Sequence, residues 1–507
     1  MQVADADLAV VGSGVSALLA AWAPLRAGRT VVMLERGELI AHSRQLEEDR
    51  YAGASPGAQA NHETAPEEPD YPWTYVYGVG GSTLHWPGNT PRFVPEDFRM
   101  RSEYGVMADW PIGFSDLLPW YLRAEEALGV AGAPPAPSGV RPAGPPLPGA
   151  RALPAHALSP IDRLVLPPLG PYAALPQARP SEALQGRPAC CGSATCELCP
   201  VDSRFSPLNG LRAVLDHPRL TLRTETVAAR LGLDAGGRRA TGLEAIDASG
   251  ERVRVRAGAY VLAAGGLENP ALLLRSGLDR EATGRYLFDH AHTTLLVRLG
   301  RSAEPGSGQT ISTGMSEAFL RGRFRERASG AVVTPFNPGT ALSPLLADGL
   351  ERGLRGDVLR REALAEWRRH VPLDVLTEDV PQAVRRVTLS PTRDRLGLPL
   401  IRIAYPAPTR YELDGIARTA AEVERRLRTA GPASVSRAEG PAGGHSLGTC
   451  RMGSGPGAVV DSDLRHLDVE NLWVTGGSAF PTYSPAHPTL TLAALALRLG
   501  STLAREL

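Results

Sequence analysis

The tightest constraint on this chain lies in its first 35 residues. An apolar run, DLAVV over 7–11, is followed at once by GSGVSA and then by a helical stretch, ALLAAWAPLRAG. A second apolar run, TVVMLE, ends on Glu35. Strand, glycine turn, helix and strand make a βαβ opening and place the chain in the α/β class. Gly12, Gly14 and Ala17 form G-x-G-x-x-A. The first glycine permits a tight turn and the second lets backbone approach a pyrophosphate. The small third residue lets the helix lie close on the strand, with phosphate at its positive N-terminus. Glu35 falls about 20 residues on, where a carboxylate accepts hydrogen bonds from ribose hydroxyls and disfavours a 2′-phosphate. The pattern marks a dinucleotide site and leaves NAD and FAD both open. Pro24 is expected to kink or shorten the helix.

Composition removes several classes. The 507 residues suggest two to four units at about 150 residues each. The 54 acidic residues balance 54 basic ones, so no electrostatic footprint for nucleic acid or an anionic membrane is present. Every basic residue is arginine, which excludes a lysine Schiff base and a P-loop lysine. The most apolar windows, 7–23 and 489–499, are broken by glycines or by Arg498, so no membrane span is expected. Asp5 and Asp7 stand where a secretory signal would be basic, and the expected location is cytoplasmic. Five cysteines are too few for a disulfide framework at this size.

Further along, 219–264 reads as a short β meander, and 291–440 mixes alternating segments (HTTLLVRL, RRVTLS, PLIRIAY) with amphipathic helices. The latter pattern predicts an antiparallel sheet backed by helices. Residues 78–86, GVGGSTLHW, form a glycine turn able to bring backbone amides to a pyrophosphate. Residues 261–277, VLAAGGLENPALLLRSG, read as strand, glycine turn and helix start. PACCGSATCELCP holds Cys190, Cys191, Cys196 and Cys199, whose spacing leaves open an iron–sulfur cluster, zinc, or free or disulfide-linked thiols. Adjacent cysteines rarely share one metal, so three ligands is the natural count: Cys190 or Cys191, then Cys196 and Cys199. Cys450 reads as a packing residue.

These segments, with HSLGTCRMG at 445–453 and NLWVTGGSAFPTYSPAHPTL at 471–490, resemble the glucose–methanol–choline (GMC) family of flavoprotein oxidoreductases. The resemblance implies a Rossmann-like FAD-binding domain with a substrate domain of antiparallel sheet backed by helices. It divides the chain into an FAD-binding part over 1–128, a Pro/Ala/Gly-rich excursion over 129–180, and a Cys-rich loop with a second FAD-binding part over 181–290. A substrate domain over 291–440 and a third FAD-binding part with the catalytic histidines over 441–507 follow. Carried over residue by residue, Gly12, Gly14, Ala17 and Glu35 match the ADP-binding turn and ribose acid. Gly80, Gly81, Ser82 and Thr83 match the flavin-contacting loop, and Val227 an adenine contact. Ala264 and Gly265 match the turn near the ADP half, and Gly477 and Ser478 the loop over the pyrophosphate and ribityl chain. FAD is expected to be non-covalent, although some relatives attach it through a histidine in a loop like that of His85.

His445 and His487 match the family's catalytic pair, and imidazole suits the chemistry: a base with pKa near working pH takes the hydroxyl proton as hydride moves to flavin N5. His445 is favoured as the base; the other histidines, His290 and His292 in YLFDHAH included, are read as ordinary, although that segment resembles a family motif near the substrate-domain boundary. The cysteine segment resembles the loop that holds a three-iron (3Fe–4S) cluster in bacterial sugar dehydrogenases of the family, although its last interval is one residue shorter. Such a cluster would imply an electron-accepting partner protein. The expected substrate is a small-molecule alcohol: a sugar, aminosugar or aminoglycoside, glycoside or polyol. The alternative is a flavin-containing lyase of the same fold, hydroxynitrile lyase-like, with no net redox.

Overall fold

Strand β1 (Gln2–Val11), helix α1 (Val15–Arg26) and strand β2 (Val31–Leu34) form a βαβ unit in which β1 lies parallel to β2, with Leu8 opposite Val31 and Val11 opposite Leu34. The structure is a computed structural model and describes residues 2–52, 61–68, 71–134, 153–194, 196, 198–308, 310–438 and 444–507. All four residues of β2 and the last four of β1, Leu8–Val11, are buried, as both faces of a parallel sheet require.

The sheet grows to seven strands gathered from three distant parts of the chain. Strand Leu220–Arg223 flanks β2, and Arg252–Leu262 runs parallel to β1 on its other side. Ala240–Asp247 and Thr226–Leu233 then follow antiparallel, and Leu472–Val474 extends the edge beside Tyr260–Leu262. The expected meander therefore covers 226–262 only. Leu220–Arg223 belongs to the opposite end of the sheet, beside β2, and the chain leaves it through a kink at Glu225, which has φ of 50°. Pro24 does not shorten the helix: α1 continues to Arg26. Proline lacks the N–H that would bond the carbonyl of Ala20. That carbonyl lies against Gly500 of the last helix, Thr489–Glu506, where an added Cβ would stand 2.8 Å from it.

A second sheet has six strands, all antiparallel, in the order Ala433–Ala438, Ala291–Leu299, His370–Thr377, Ala331–Pro335, Gly314–Ser316 and Tyr172–Ala174. One face buries Leu295, Val297, Val371, Leu373 and Val375 against Ala420, Val423 and Leu427 of helix Arg410–Ala430. Period two in the strands thereby leaves His292, Thr294 and Asp374 on the other face. RRVTLS and PLIRIAY, expected in this sheet, instead form Arg386–Arg393 and Pro399–Ala404 of a separate three-stranded sheet with His62–Thr64. Their apolar residues Val387, Ile401 and Ile403 pack on Leu267 and Ala271 of the helix Gly265–Arg275. Tyr172–Ala174 shows that the Pro/Ala/Gly-rich stretch contributes an edge strand; its residues 135–152 lie outside the described residues. Among the described residues no helix is long and apolar enough to cross a membrane.

Candidate active site

A cavity of about 530 Å³ opens at the carboxyl ends of β1 and β2, where open α/β sheets place ligands. Gly12 adopts φ of 95°, and an added Cβ would sit 2.6 Å from the carbonyl oxygen of Ala263, so only glycine serves there. Gly14 has an ordinary φ of −69° and nothing within 4 Å of a Cβ; the space beside it is the cavity itself. The second glycine loop is fastened onto the first: Gly80 N donates to Ser13 O at 3.1 Å, and Gly14 and Gly80 form a β-bridge. Gly80 and Gly81 have φ of 111° and 56°, which turns the chain so that Ser82, Thr83 and His85 reach the wall.

The wall also includes Glu35, Val227, Ala264, Gly265 and Gly477. Ala17 is buried inside α1 and meets the expectation of close helix–strand packing, but it does not line the cavity. Ser478 is likewise displaced from the wall; its hydroxyl accepts from Asn269 Nδ2 at 2.8 Å and secures the 475–478 turn. Glu35 is 6% exposed and accepts from Ser13 N, Ser13 Oγ, Gly37 N and Gly78 N at 2.6–3.1 Å. Burial raises its pKa against the pull of those four bonds. The carboxylate thus ties both glycine loops together at the rim of the site.

His445 and His487 stand together at one end of the cavity, ring centroids 6.2 Å apart and planes at 84°. They differ in environment. His445 is 27% exposed in its side chain, and its Nδ1 lies 3.4 Å from Oδ1 of Asp289, which is fully buried. A proton on Nδ1 would face that carboxylate and leave Nε2 open to another partner. His487 is buried and, among the described residues, has no carboxylate partner; Asn89 Nδ2 donates to its Nε2 at 3.2 Å, and no described residue bonds Nδ1. Burial pushes its pKa down to about 3, with His445 adding to the shift, so it is neutral at working pH.

Two neighbours were not legible as site residues. His290 completes a three-histidine cluster, 5.1 Å from His445 and 6.0 Å from His487 by ring centroids. It stacks on Tyr483 at 4.2 Å, and burial holds its pKa well below the usual range. Asp289 receives His290 N at 2.6 Å and Tyr71 OH at 3.2 Å besides facing His445. The Asp-His pair in YLFDHAH is the only signal the sequence carries for them, and nothing local connects it to a histidine 155 residues later. His85, on the wall, is pushed down to about 4 by burial, with Arg204 and His445 contributing, and its Nε2 has no partner.

Among the described residues the cysteine loop shows neither a disulfide nor a convergence of three thiols. Among the described residues, three potential ligand atoms converge within 4.8 Å only at Asp289, His290 and His445, and no three thiols do. Cys196 Sγ instead accepts from the Arg179 guanidinium and, at 3.2 Å, from Ile311 N; Cys199 Sγ accepts from Ser203 N at 3.3 Å. Cys450 is buried as expected of a packing residue.

Comparison with known proteins agrees with this geometry. Residues 174–292 and 381–496 match the family described as GMC oxidoreductase. The 6'''-hydroxyparomomycin C oxidase of Streptomyces lividus is 31% identical over 99% of this chain and 92% of its own length. The fructose dehydrogenase large subunit of Gluconobacter japonicus is 26% identical, covering 99% and 98%. The paromamine 6'-oxidase of Streptomyces fradiae is 29% identical, covering 99% and 92%. In three dimensions, pyridoxine 4-oxidase from Mesorbium loti aligns over 98% of both chains with a TM-score of 0.63 at 22% identity, which establishes a shared fold. Sheet order, paired glycine loops and full-length similarity converge on one conclusion: this chain is a member of the GMC oxidoreductase family, an enzyme acting on CH–OH donors.

Proposed function

We propose that the enzyme oxidises an alcohol of a sugar, aminosugar or aminoglycoside, glycoside or polyol, with FAD bound non-covalently in the glycine-lined cavity. The observation that carries this reading is the His445–His487 pair at the end of that cavity, with a carboxylate on one ring alone. The cavity fits a dinucleotide. At Gly14 and Gly265 an added Cβ meets no protein atom within 4 Å, so backbone there is open to a ligand. Gly12, Gly14, Gly80 and Gly81 would hold the pyrophosphate region, Glu35 the ribose, Val227 the adenine side, and Ser82, Thr83, Ala264, Gly265 and Gly477 the remainder. FAD, when bound, supplies the two-electron acceptor for hydride.

The chain's own residues do the rest. His445 Nε2 accepts the hydroxyl proton as the carbinol C–H leaves as hydride, so the alcohol loses two electrons and two hydrogens and becomes a carbonyl. Asp289 holds the His445 ring in the tautomer that frees Nε2 and stabilises the imidazolium that forms. His487, neutral, orients the same hydroxyl by a hydrogen bond. Such a base contributes about 10²–10⁴-fold. Full-length likeness to two enzymes named as oxidases of paromomycin-type compounds supports an aminated sugar among the substrates.

The experiment is anaerobic mixing of flavin-loaded enzyme with paromamine and with methyl glucoside. Bleaching of the visible flavin band is expected with at least one. A flavin-containing lyase would leave the band oxidised. Acid precipitation should release the flavin into the supernatant; colour retained in the pellet would mean attachment through His85.

A further inference from the structure

The face of the second sheet that is turned away from its helix carries a polar stripe leading out of the histidine cluster. His290 immediately precedes strand Ala291–Leu299, and His292 and Thr294 follow at intervals of two, on the face opposite buried Thr293, Leu295 and Val297. Each interval advances about 6.6–6.8 Å. Asp374 on the neighbouring strand is paired directly opposite Thr294. Its Oδ1 lies 3.3 Å from His292 Nε2 and 3.4 Å from Thr294 Oγ1, and its side chain is 20% exposed. No described residue donates to Oδ2. Arg298, the next cation along the strand, is already engaged by Glu366 through two bonds of 2.6 and 2.8 Å. Among the described residues no arginine engages this carboxylate, which keeps an open acceptor roughly 7–13 Å from His290 along the strand. At the inner end of the stripe, His290 Nε2 and His487 Nδ1 are buried without partners among the described residues, the condition of a site whose polar ligand supplies the missing hydrogen bonds.

We infer that Asp374 is the ammonium anchor of the active site: it takes the protonated amine of an aminated sugar alcohol, while the hydroxyl under oxidation lies at the histidines. The inference rests on the alcohol-oxidation reading above and adds to it the substrate's charge and the residue that selects it. A neutral polyol of the same shape leaves Oδ2 to water and forfeits a charge-assisted hydrogen bond. His292 and Thr294 hold the carboxylate in place, so the anchor is fixed before the substrate arrives.

The test compares kcat/KM for paromamine, which carries ammonium groups, with kcat/KM for methyl glucoside, which carries none. It uses FAD-loaded wild type, Asp374→Asn and Asp374→Glu, each checked for flavin content and melting temperature. Asp374→Asn is expected to lower the paromamine-to-glucoside ratio roughly 10- to 100-fold, mainly through the KM for paromamine. Asp374→Glu, which keeps the charge, should recover part of it. An unchanged ratio, or a glutamate variant no better than the asparagine variant, overturns the anchor. If wild type bleaches with methyl glucoside and shows no preference for paromamine, the anchor fails while the alcohol-oxidation reading stands. If neither compound bleaches the flavin, both fall together.

Discussion

At the residue scale, the division of labour between His445 and His487 follows from what each ring touches. Asp289 stands 3.4 Å from His445 Nδ1 and orients that ring. His487, held to about 3, carries no charge change into the working range. The pH profile of kcat/KM should therefore carry no ionisation of His487. Asp289→Asn removes the carboxylate that faces His445 Nδ1 and should reduce kcat by about 10²-fold as the ring loses its orientation. A variant with kcat within tenfold of wild type would make Asp289 a packing residue. The histidine pair was legible because each member sits in its own motif. Asp289 and His290 were not, because their significance arises only when a strand start meets a loop more than 150 residues on.

At the element scale, the two glycines of the first turn answer to different demands. Gly12 is fixed by its own backbone: φ is 95° and Ala263 O blocks a side chain. Gly14 is fixed by the ligand, since its conformation suits any residue and only the cavity lies beside it. Gly12→Ala should thus cost stability, on the order of 1–3 kcal/mol for the strained backbone. Gly14→Val should fold with nearly wild-type urea resistance yet purify without flavin colour. A yellow Gly14→Val protein with stoichiometric FAD would displace the fingerprint from the cofactor. Local spacing made this turn readable, whereas strand partnership was not: Leu220–Arg223 follows the same alternation as its neighbours but crosses to β2. Arg386–Arg393 and Pro399–Ala404 look like substrate-sheet strands, and their apolar faces go instead to the helix after the third glycine turn. Alternation reports that a strand has a buried face, and not which partner buries it.

At the scale of the whole molecule, three returns of the chain build one sheet, and buried ion pairs tie distant segments to it. Arg325, with no side-chain exposure, donates to Asp97 Oδ1 at 2.9 Å and to Glu378 Oε2 at 3.1 Å, both equally buried. Arg325→Met leaves two buried carboxylates without a counter-charge and should destabilise the protein by about 3–5 kcal/mol. Thermal or urea unfolding checks this, and a loss below about 1 kcal/mol would mean that the carboxylates find another partner. Such pairings are invisible in sequence, where Arg325 is one of many arginines. The α/β opening, the antiparallel second sheet and the glycine cradle were legible because each is carried by a short segment. That no three thiols converge among the described residues required the folded positions of the cysteines, whose spacing alone permits ligation.

The account's central claim is that His445 is the base that lets an alcohol reduce the flavin, and stopped-flow spectroscopy measures that step alone. Wild type and His445→Ala, both FAD-loaded, would be mixed anaerobically with whichever of paromamine or methyl glucoside bleaches the wild-type band. The account predicts equal flavin content and flavin reduction slower by about 10²–10⁴-fold in the variant. Reduction within tenfold of wild type would contradict it.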